Sequence, residues 1–432
     1  MHVHHLDPER QREFALQVVT KLREGGFEAY WAGGCVRDCL LDRRPKDYDV
    51  ATNATPVEIR ELFSRRRTLE IGAAFGVVAV IGPKPAGVVE VTTFRQDTQY
   101  SDGRRPDAVV FTSAKEDAQR RDFTINGLFY DPLEPQPERR VSDFVGGVAD
   151  LERKIIRAIG DPRARFCEDK LRLLRAVRIA AGFEFDLDES TRAAIVEFAA
   201  SVVTVSAERI AQELRTMLVD AHRARAVELL RETGLLAAIL PEAAAAAAEP
   251  KAWRRTLLTL EGLTEPDFPL ALAALFTAVD RAGEHHGKPT ESICRRWRLS
   301  NKEIEHARWL VEHRTALVGA ELMPWPRLQR LLIGDWIGDL LALHEAEALA
   351  SGADARHVRK CRELLKLPPE RLNPPPLVTG DDLIRHGIAS GKLFKPLLEK
   401  LRDAQLENRI ANEEEALALA DRLLAEGAVG EG

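Results

Sequence analysis

The chain has 432 residues, of which 45% are hydrophobic, 30% charged and 6% aromatic. That length supports about three domains at the usual ~150 residues each, and the absence of any run of ~18 apolar residues excludes a membrane-spanning helix. The net charge of −6 excludes a uniformly basic nucleic-acid binder but not a local basic groove, since the first 182 residues carry a net +2 and the remaining 250 a net −8.

Five cysteines (Cys35, Cys39, Cys167, Cys294 and Cys361) form no CxxC pair and no even framework. This predicts a reduced, cytoplasmic protein without structural zinc. No charged-then-apolar leader opens the chain, and His2, His4 and His5 fit a frayed tail better than a metal site. Residues 8–25 have helical periodicity and stop at Gly25-Gly26. FEAYWAG then looks like a strand. Thr55-Pro56-Val57-Glu58 has a Thr N-cap, Pro at the first helical position and Glu two further on, which predicts a helix start. TLEIG, GVVAVIG, GVVEVTTFR and AVVFT follow as short strands. From about residue 165 nearly everything has an amphipathic helical pattern. Ala243–Ala248 fits a helix end or linker as well as an Ala-rich helix surface. Five prolines in 365–380 preclude continuous helix there. The composition favours helix overall, and the plan is a small sheet-based head followed by a long helical body.

The segment 31–56 carries the first chemistry. Gly33-Gly34 follow a strand and precede CVRDCLL, which can start a helix. Two glycines let a triphosphate approach the backbone closely, and free helix N–H groups can donate to it. Arg37 lies one turn in, placed to meet a phosphate with two nitrogens. Asp47 and Asp49 flank Tyr48. On a strand, residues i and i+2 face the same way, so both carboxylates would project together. Two adjacent carboxylates repel, and a divalent cation between them relieves this; hard oxygen ligands suit Mg²⁺. An isolated DxD is otherwise a turn or a solvated edge. In GVVEVTTFR, alternation puts Glu90 and Thr92 on one face and Val89 and Val91 on the other, so Glu90 is either edge-exposed or a third site acid.

These residues, in this order, resemble the catalytic head of class II tRNA nucleotidyltransferases and bacterial poly(A) polymerases, within the polymerase-β-like superfamily. The resemblance runs from Gly33-Gly34-Cys35-Val36-Arg37-Asp38 and Asp47-Tyr48-Asp49-Val50-Ala51-Thr52 through Tyr100–Pro106 and Arg120-Arg121-Asp122-Phe123-Thr124-Ile125-Asn126. It continues over Gly146-Gly147, Asp150-Leu151 and Glu168–Arg178, and weakens but persists through SAERIAQELRTML and GLLAAILPE. It implies an α+β fold: a small polymerase-β-like nucleotidyltransferase head with a mixed sheet and helices, then a mostly α-helical body. It implies a head over 1–150, a nucleotide-selecting, RNA-binding neck over 151–245, and a helical body and tail over 246–432. It also implies that Asp47 and Asp49 hold the metals, that Glu90 is a third catalytic carboxylate, and that Arg121, Asp122 and Asn126 grip triphosphate and ribose.

The chemistry this implies is attack of a 3′-hydroxyl on an α-phosphate with loss of pyrophosphate. One Mg²⁺ lowers the hydroxyl's pKa and a second neutralises the leaving oxygens; the rest is positioning and charge stabilisation. Arg104 and Arg105, in a Gly/Pro-flanked loop, could close over the nucleotide or form a solvated basic turn.

Glu168–Arg178 has a helical pattern that makes Asp169 and Arg172 neighbours on one face. One reading is an intrahelical salt bridge worth a few tenths of a kcal/mol. The other uses the bases. Cytosine and adenine each present an amino donor beside a ring-nitrogen acceptor, matched by an Asp acceptor and an Arg donor. Uracil and guanine reverse that polarity, and each unsatisfied group costs roughly 1–3 kcal/mol. The resemblance favours this protein-template reading and assigns Arg175 and Arg178 to phosphate or fold support.

Many members of the family carry an HD-type hydrolase domain downstream. None of the eleven histidines here is followed by Asp, and His285-His286 lack partners, so the body is expected to be a degenerate HD-like region without metal ligands or hydrolase activity. It would dock RNA by shape and phosphate contacts. Lys251, Arg254, Arg255, Arg295, Arg296 and Arg298 are candidates, though solvated helix faces explain them equally well. VTGDDLIRHGIASGKLFKPLLEKL resembles the tail of CCA-adding enzymes, with a departure at Lys392-Leu393-Phe394, and the chain ends acidic rather than basic. The expected activity is therefore CCA addition to tRNA from CTP and ATP, with no membrane partner. Poly(A) addition, CC-only or A-only addition, and a non-catalytic RNA-binding relative remain as alternatives.

Overall fold

The computed structural model describes residues 7–72, 76–97, 109–277, 279, 287–389 and 391–426. The expectations for His2, His4, His5, Arg104, Arg105, His285 and His286 lie outside these. The chain forms two compact units, Met1–Ala245 with Arg296–Arg298, and Ala246–Arg295 with Leu299–Gly432. Among the described residues no helix is long and apolar enough to cross a membrane.

The first unit opens with α1 (Pro8–Glu24), capped by the Asp7 carboxylate and followed by Gly25. Its apolar stripe, with Val18, Val19 and Leu22 fully buried, packs on the sheet. Then come β1 (Ala29–Ala32), α2 (Gly34–Leu40), β2 (Asp49–Thr52) and α3 (Pro56–Phe63). The start of α3 is the reciprocal cap expected from its sequence: the Glu58 amide donates to Thr55 Oγ1 and the Thr55 amide to Glu58 Oε2. The strands β3 (Thr68–Gly72), β4 (Val77–Ile81), β5 (Val88–Thr93), β6 (Arg95–Asp97) and β7 (Val109–Phe111) follow, then α4 (Ala114–Gln119), β8 (Leu128–Tyr130) and β9 (Val141–Asp143).

Seven strands form one mixed sheet in the order β3-β4-β5-β2-β1-β8-β9. The pair β2–β5 is parallel, and its register sets Asp49 opposite Glu90. Since β5 lies between β4 and β2, Glu90 is not on an edge strand. One difference from the sequence reading is local: β2 begins at Asp49, so Asp47 lies just before the strand rather than on it.

Next are α5 (Gly147–Glu152), β10 (Ile155–Ile156), α6 (Pro162–Glu168), α7 (Leu171–Phe183), β11 (Asp186–Leu187), α8 (Glu189–Phe198), α9 (Ala207–Val219), α10 (Arg223–Glu232) and α11 (Leu235–Ile239). The segment read as one helix over Glu168–Arg178 is two. Asp169 leaves helical geometry at φ −144°, ψ 106°, ending α6, and α7 restarts at Leu171. The Gly146-Gly147…Asp150 motif has a structural job. Asp143 accepts four backbone N–H groups from Val145 to Val148. A Cβ at Gly147 would meet the Thr124 carbonyl oxygen at 2.2 Å, so only glycine lets α5 pack against the turn that carries Asn126. Asp150 then accepts from the Thr124 hydroxyl at 2.7 Å.

The helix α12 (Pro241–Ala246) spans the division between units. The second unit contains α13 (Pro250–Gly262), α14 (Phe268–Phe276), α15 (Lys288–Arg296), α16 (Asn301–His313), α17 (Trp325–Leu332), α18 (Ile337–Ser351) and α19 (Arg356–Leu364). The proline-rich break holds only the short α20 (Pro369–Leu372), after which α21 (Gly380–Arg385), α22 (Phe394–Leu406) and α23 (Glu413–Ala425) form the tail. Every residue of α14 is buried, as expected for a helix apolar on all sides. Leu383, Leu397, Leu401, Ala404 and Ala420 form a separate core in the tail.

Candidate functional site

A cavity of about 590 Å³ in the first unit is lined by Gly33, Gly34, Arg37, Asp47, Asp49 and Glu90 on the sheet side. Arg121, Asp122, Asn126, Asp169, Arg172, Arg175 and Arg178 also line it, with Arg95 and Arg120 among the rest. The expected metal- and nucleotide-site residues thus line one space, Arg104 and Arg105 lying outside the described residues and the RNA-docking candidates from Lys251 to Arg298 not being part of it. Its size suits a nucleotide-sized ligand.

The acids come first. Asp49 opens β2 and Glu90 is its register partner on β5. Burial, then Asp47, then Glu90 push the Asp49 carboxyl up to about 7, against a smaller opposing pull from Arg121. Burial is the larger cause, and the two neighbouring carboxylates add to it, so the ionised form of Asp49 is disfavoured unless a cation joins the three acids.

The glycine turn lies beside them. Gly33 has φ +78°, and a Cβ there would come within 3.0 Å of Arg121 Nη1. Glycine thus serves both the backbone conformation and the close approach of the arginine. Arg37, in α2, is held on three sides. Its Nε and Nη2 donate to Asp38 Oδ1 at 2.9 and 2.7 Å, Nη1 donates to Asn126 Oδ1 at 2.9 Å, and the guanidinium lies 4.3 Å from the Phe183 ring centre. One edge of its fork is thus already occupied by Asp38.

A chain of hydrogen bonds links α2 to α7. Arg37 donates to Asn126, whose amide donates to Asp122 Oδ1 at 3.1 Å, and Asp122 Oδ2 accepts from Arg175 Nε at 2.9 Å. Burial alone would raise the Asp122 carboxyl. Arg175, the Asn126 amide and the Phe123 N–H outweigh it and bring the group down to about 2. Arg121 donates to the fully buried Asp117 at 3.0 Å and to the Asn126 carbonyl at 3.2 Å.

Asp169 and Arg172 do not bond to each other through their side chains, so the intrahelical salt bridge considered from the sequence is not formed. The reason is the break at Asp169. Its carboxylate accepts a fork from Arg209 at 2.7 and 3.3 Å, and the Leu171 N–H at 3.0 Å. Arg172 donates instead to Glu168 at 2.5 Å and to the Arg165 carbonyl at 3.0 Å. Arg178 donates to Glu213 at 2.6 Å.

Sequence reasoning missed the residues that hold these groups: Asp117, Asp38, Glu168, Arg209, Glu213 and Phe183. Asp117 had a local signal, standing three and four residues before Arg120 and Arg121 on a helix. Arg209 and Glu213 come from a distant segment, SAERIAQELRTML, which the resemblance covered without giving either a role. Among the described residues, the group of three metal-capable side chains with ligand atoms within 4.8 Å of one another is not here but in the other unit, at Asp267, His306 and Asp339.

Residues 29–157 match a family model described as the Poly A polymerase head domain. Residues 184–247 match a model for an RNA- and SrmB-binding site of polymerase A, and residues 271–420 one for tRNA nucleotidyltransferase domain 2. The chain is 32% identical over 416 residues to a CCA-adding enzyme of Geobacillus sp. strain WCH70, covering 93% of this chain and 95% of that one. It is 34% identical over 418 residues to the CCA-adding enzyme of Geobacillus kaustophilus, covering 94% and 95%. The crystal structure of the Bacillus stearothermophilus CCA-adding enzyme in complex with CTP superimposes with a TM-score of 0.74 at 29% identity, covering 97% of this chain and 98% of that one.

Proposed function

The chain belongs to the CCA-adding enzyme family, and from that premise we propose that it transfers nucleotides from CTP and ATP to build CCA at the 3′ end of tRNA, in the cavity of the first unit. The observation that carries this reading is that cavity itself, where three acids and the separately held Asp169 and Arg172 face one space.

The donor set fits a hard divalent cation. Asp47, Asp49 and Glu90 are oxygen ligands, and burial together with the neighbouring Asp47 and Glu90 raises the Asp49 carboxyl, as in acids grouped where a cation would favour their ionised form. Mg²⁺ typically takes one or two carboxylates and fills its remaining positions with water and substrate phosphates, so a closed protein cage is not required. When bound, Mg²⁺ supplies charge neutralisation at the α-phosphate and acidifies the attacking 3′-hydroxyl.

The chain's own residues do the rest. Asp47 and Asp49 would hold the metal, with Glu90 as the third acid. Gly33 and Gly34 leave room for the triphosphate, and Arg37 and Arg121 present N–H groups to its oxygens. Asp122 and Asn126 fix Arg175 and Arg37 relative to each other and offer hydrogen bonds toward the ribose, while Arg175 and Arg178 add positive charge along the same wall. Asp169 accepts from the amino group of C or A, and Arg172 donates to the ring nitrogen. Residues 151–245 then act as the selecting neck after the 1–150 head, and 246–432 as the tRNA-docking body. A cytoplasmic setting goes with this reading, and all five cysteines are free.

The test is direct. The protein is incubated with tRNA lacking its 3′ end, Mg²⁺, CTP and ATP, and the products are sequenced. Three added nucleotides ending in A support the proposal. Long A tails point to poly(A) addition, a stop at CC or a single A to a partial enzyme, and unchanged tRNA to a non-catalytic relative; each of these refutes it.

A further inference from the structure

The second unit holds a group of side chains that nucleotide transfer does not use. Asp267 caps α14, His306 lies within α16, and Asp339 is in the first turn of α18. The three helices pack on one another in pairs, which brings these residues together.

His306 is the centre of the group. It is 5% exposed. Its ring is fixed by stacking on Trp336, with centroids 4.9 Å apart and planes 14° from parallel. Nε2 lies 2.9 Å from Asp339 Oδ2, but this buried nitrogen has no aligned hydrogen-bond partner among the described residues. Nδ1 is 3.7 Å from Asp267 Oδ2, beyond hydrogen-bond reach. Asp267 spends its other oxygen on the Leu270 N–H at 2.9 Å, which leaves Oδ2 facing the imidazole.

An imidazolium clasped between two carboxylates would align an N–H on each oxygen. Neither contact does so: Nε2 is at ion-pair distance from Asp339 Oδ2 without hydrogen-bond alignment, and a buried nitrogen left in that state is destabilising. A bound ion removes that cost. Ligand atoms around an ion with bonds of about 2.1 Å lie roughly 3–3.5 Å apart, and here one atom from each residue already lies within 4.8 Å of the others.

We propose that Asp267, His306 and Asp339 form a divalent transition-metal site that staples α14, α16 and α18. One imidazole nitrogen with two carboxylate oxygens suits Zn²⁺, Mn²⁺ or Co²⁺ rather than Mg²⁺ or Ca²⁺, which take oxygen ligands. The Asp267 and Asp339 side chains are 54% and 38% exposed, so the ion can enter and water completes its shell. The ligands are dispersed along the chain, which is why no His-Asp dipeptide announces them.

The full-length protein, stripped with chelator and titrated with Co²⁺ alone, provides the test, because Trp336 stacks on the ligand ring. The expected result is saturable quenching of tryptophan fluorescence and one retained equivalent of Co²⁺ after desalting, both measured in an Asp47→Asn/Asp49→Asn background. Both are lost in His306→Gln and in Asp339→Asn. Asp339→Asn is isosteric and half-exposed, so it keeps the measurement valid if His306→Gln fails to fold. An equal Co²⁺ content in the parent and the folded variants, as from binding at the N-terminal histidines, overturns the proposal. Absence of retained Co²⁺ in the parent does the same. None of these readouts depends on nucleotide transfer.

Discussion

Arg209 Nη2 lies 2.7 Å from Asp169 Oδ2 while Nη1 of the same guanidinium lies 3.3 Å from Oδ1, so one fork holds both oxygens of the carboxylate that faces the cavity. The fork fixes the plane of Asp169, and with it the direction in which its remaining lone pairs can accept from a base. Arg209→Lys keeps the charge but cannot make the fork. Hydrogen bonds to charged groups are worth ~1.5–3 kcal/mol. The variant should therefore lose C/A-over-U/G discrimination by roughly ten- to a hundredfold while its melting temperature moves little. Competition assays with CTP against UTP read this out. Unchanged discrimination would show that Asp169 does not need Arg209 for its orientation.

Phe183 ends α7 with two guanidiniums against its ring, Arg37 at 4.3 Å and Arg43 at 4.7 Å from the centroid. It packs against Arg37, the arginine proposed to meet the phosphates, which Asp38 also holds. Cation–π contacts contribute ~0.5–2 kcal/mol each, so Phe183→Leu should raise KM for CTP and ATP alike by roughly 2- to 30-fold. Base choice should be unchanged, because Asp169 and Arg172 are not touched. Phe183→Tyr, which keeps an aromatic face, should restore KM. A fall in kcat with constant KM would place the effect elsewhere.

Much of this architecture was legible in the sequence because the signals were local. The Thr55 capping box, the alternating strands and the Gly33-Gly34 turn each follow from neighbouring residues, and the structure has all three. What the sequence obscured was nonlocal or conformational. Helical spacing joined Asp169 to Arg172, yet Asp169 takes an extended backbone, and the pair is separated by competition from Glu168 and Arg209. Periodicity cannot register such competition, since Arg209 arrives from another helix. The same holds for Asp267, His306 and Asp339, whose proximity is purely tertiary.

Asp117 is fully buried. It accepts from Arg120 Nε at 2.8 Å, Arg121 Nη2 at 3.0 Å and the Arg95 N–H at 3.2 Å. Burial works against its ionised form, but the two guanidiniums and these hydrogen bonds still lower its carboxyl below the usual range. Asp117→Ala removes from the cavity wall the one buried carboxylate that two guanidiniums and a backbone N–H share. Breaking a buried pair from one side costs ~3–5 kcal/mol, so urea denaturation should show a loss of that order. Transfer activity should fall even in the fraction that folds, since Arg121 keeps only its bond to the Asn126 carbonyl of the two that hold it. A loss below 1 kcal/mol would mean the two arginines find other partners.

Asp49 links pH to both stability and metal affinity. Its carboxyl is raised from 3.8 to about 7 by burial and by the neighbouring Asp47 and Glu90. In the metal-free protein the folded state binds this proton more tightly than the unfolded chain does. Its contribution to stability is thus full below the unfolded value near 3.8, and declines as pH rises through about 7. Asp49→Asn cannot ionise, and should flatten that slope and melt higher than the metal-free parent at pH 8. Divalent binding needs the ionised form and releases the proton, so the sign reverses for affinity. The Mg²⁺ concentration needed for half-maximal transfer should rise by up to about tenfold per unit as pH falls below 7, and level off above it. Thermal melts of the stripped protein between pH 5 and 8, paired with Mg²⁺ titrations over the same range, measure the two effects separately. If the slope in the melts persists in Asp49→Asn, another buried acid is responsible for it.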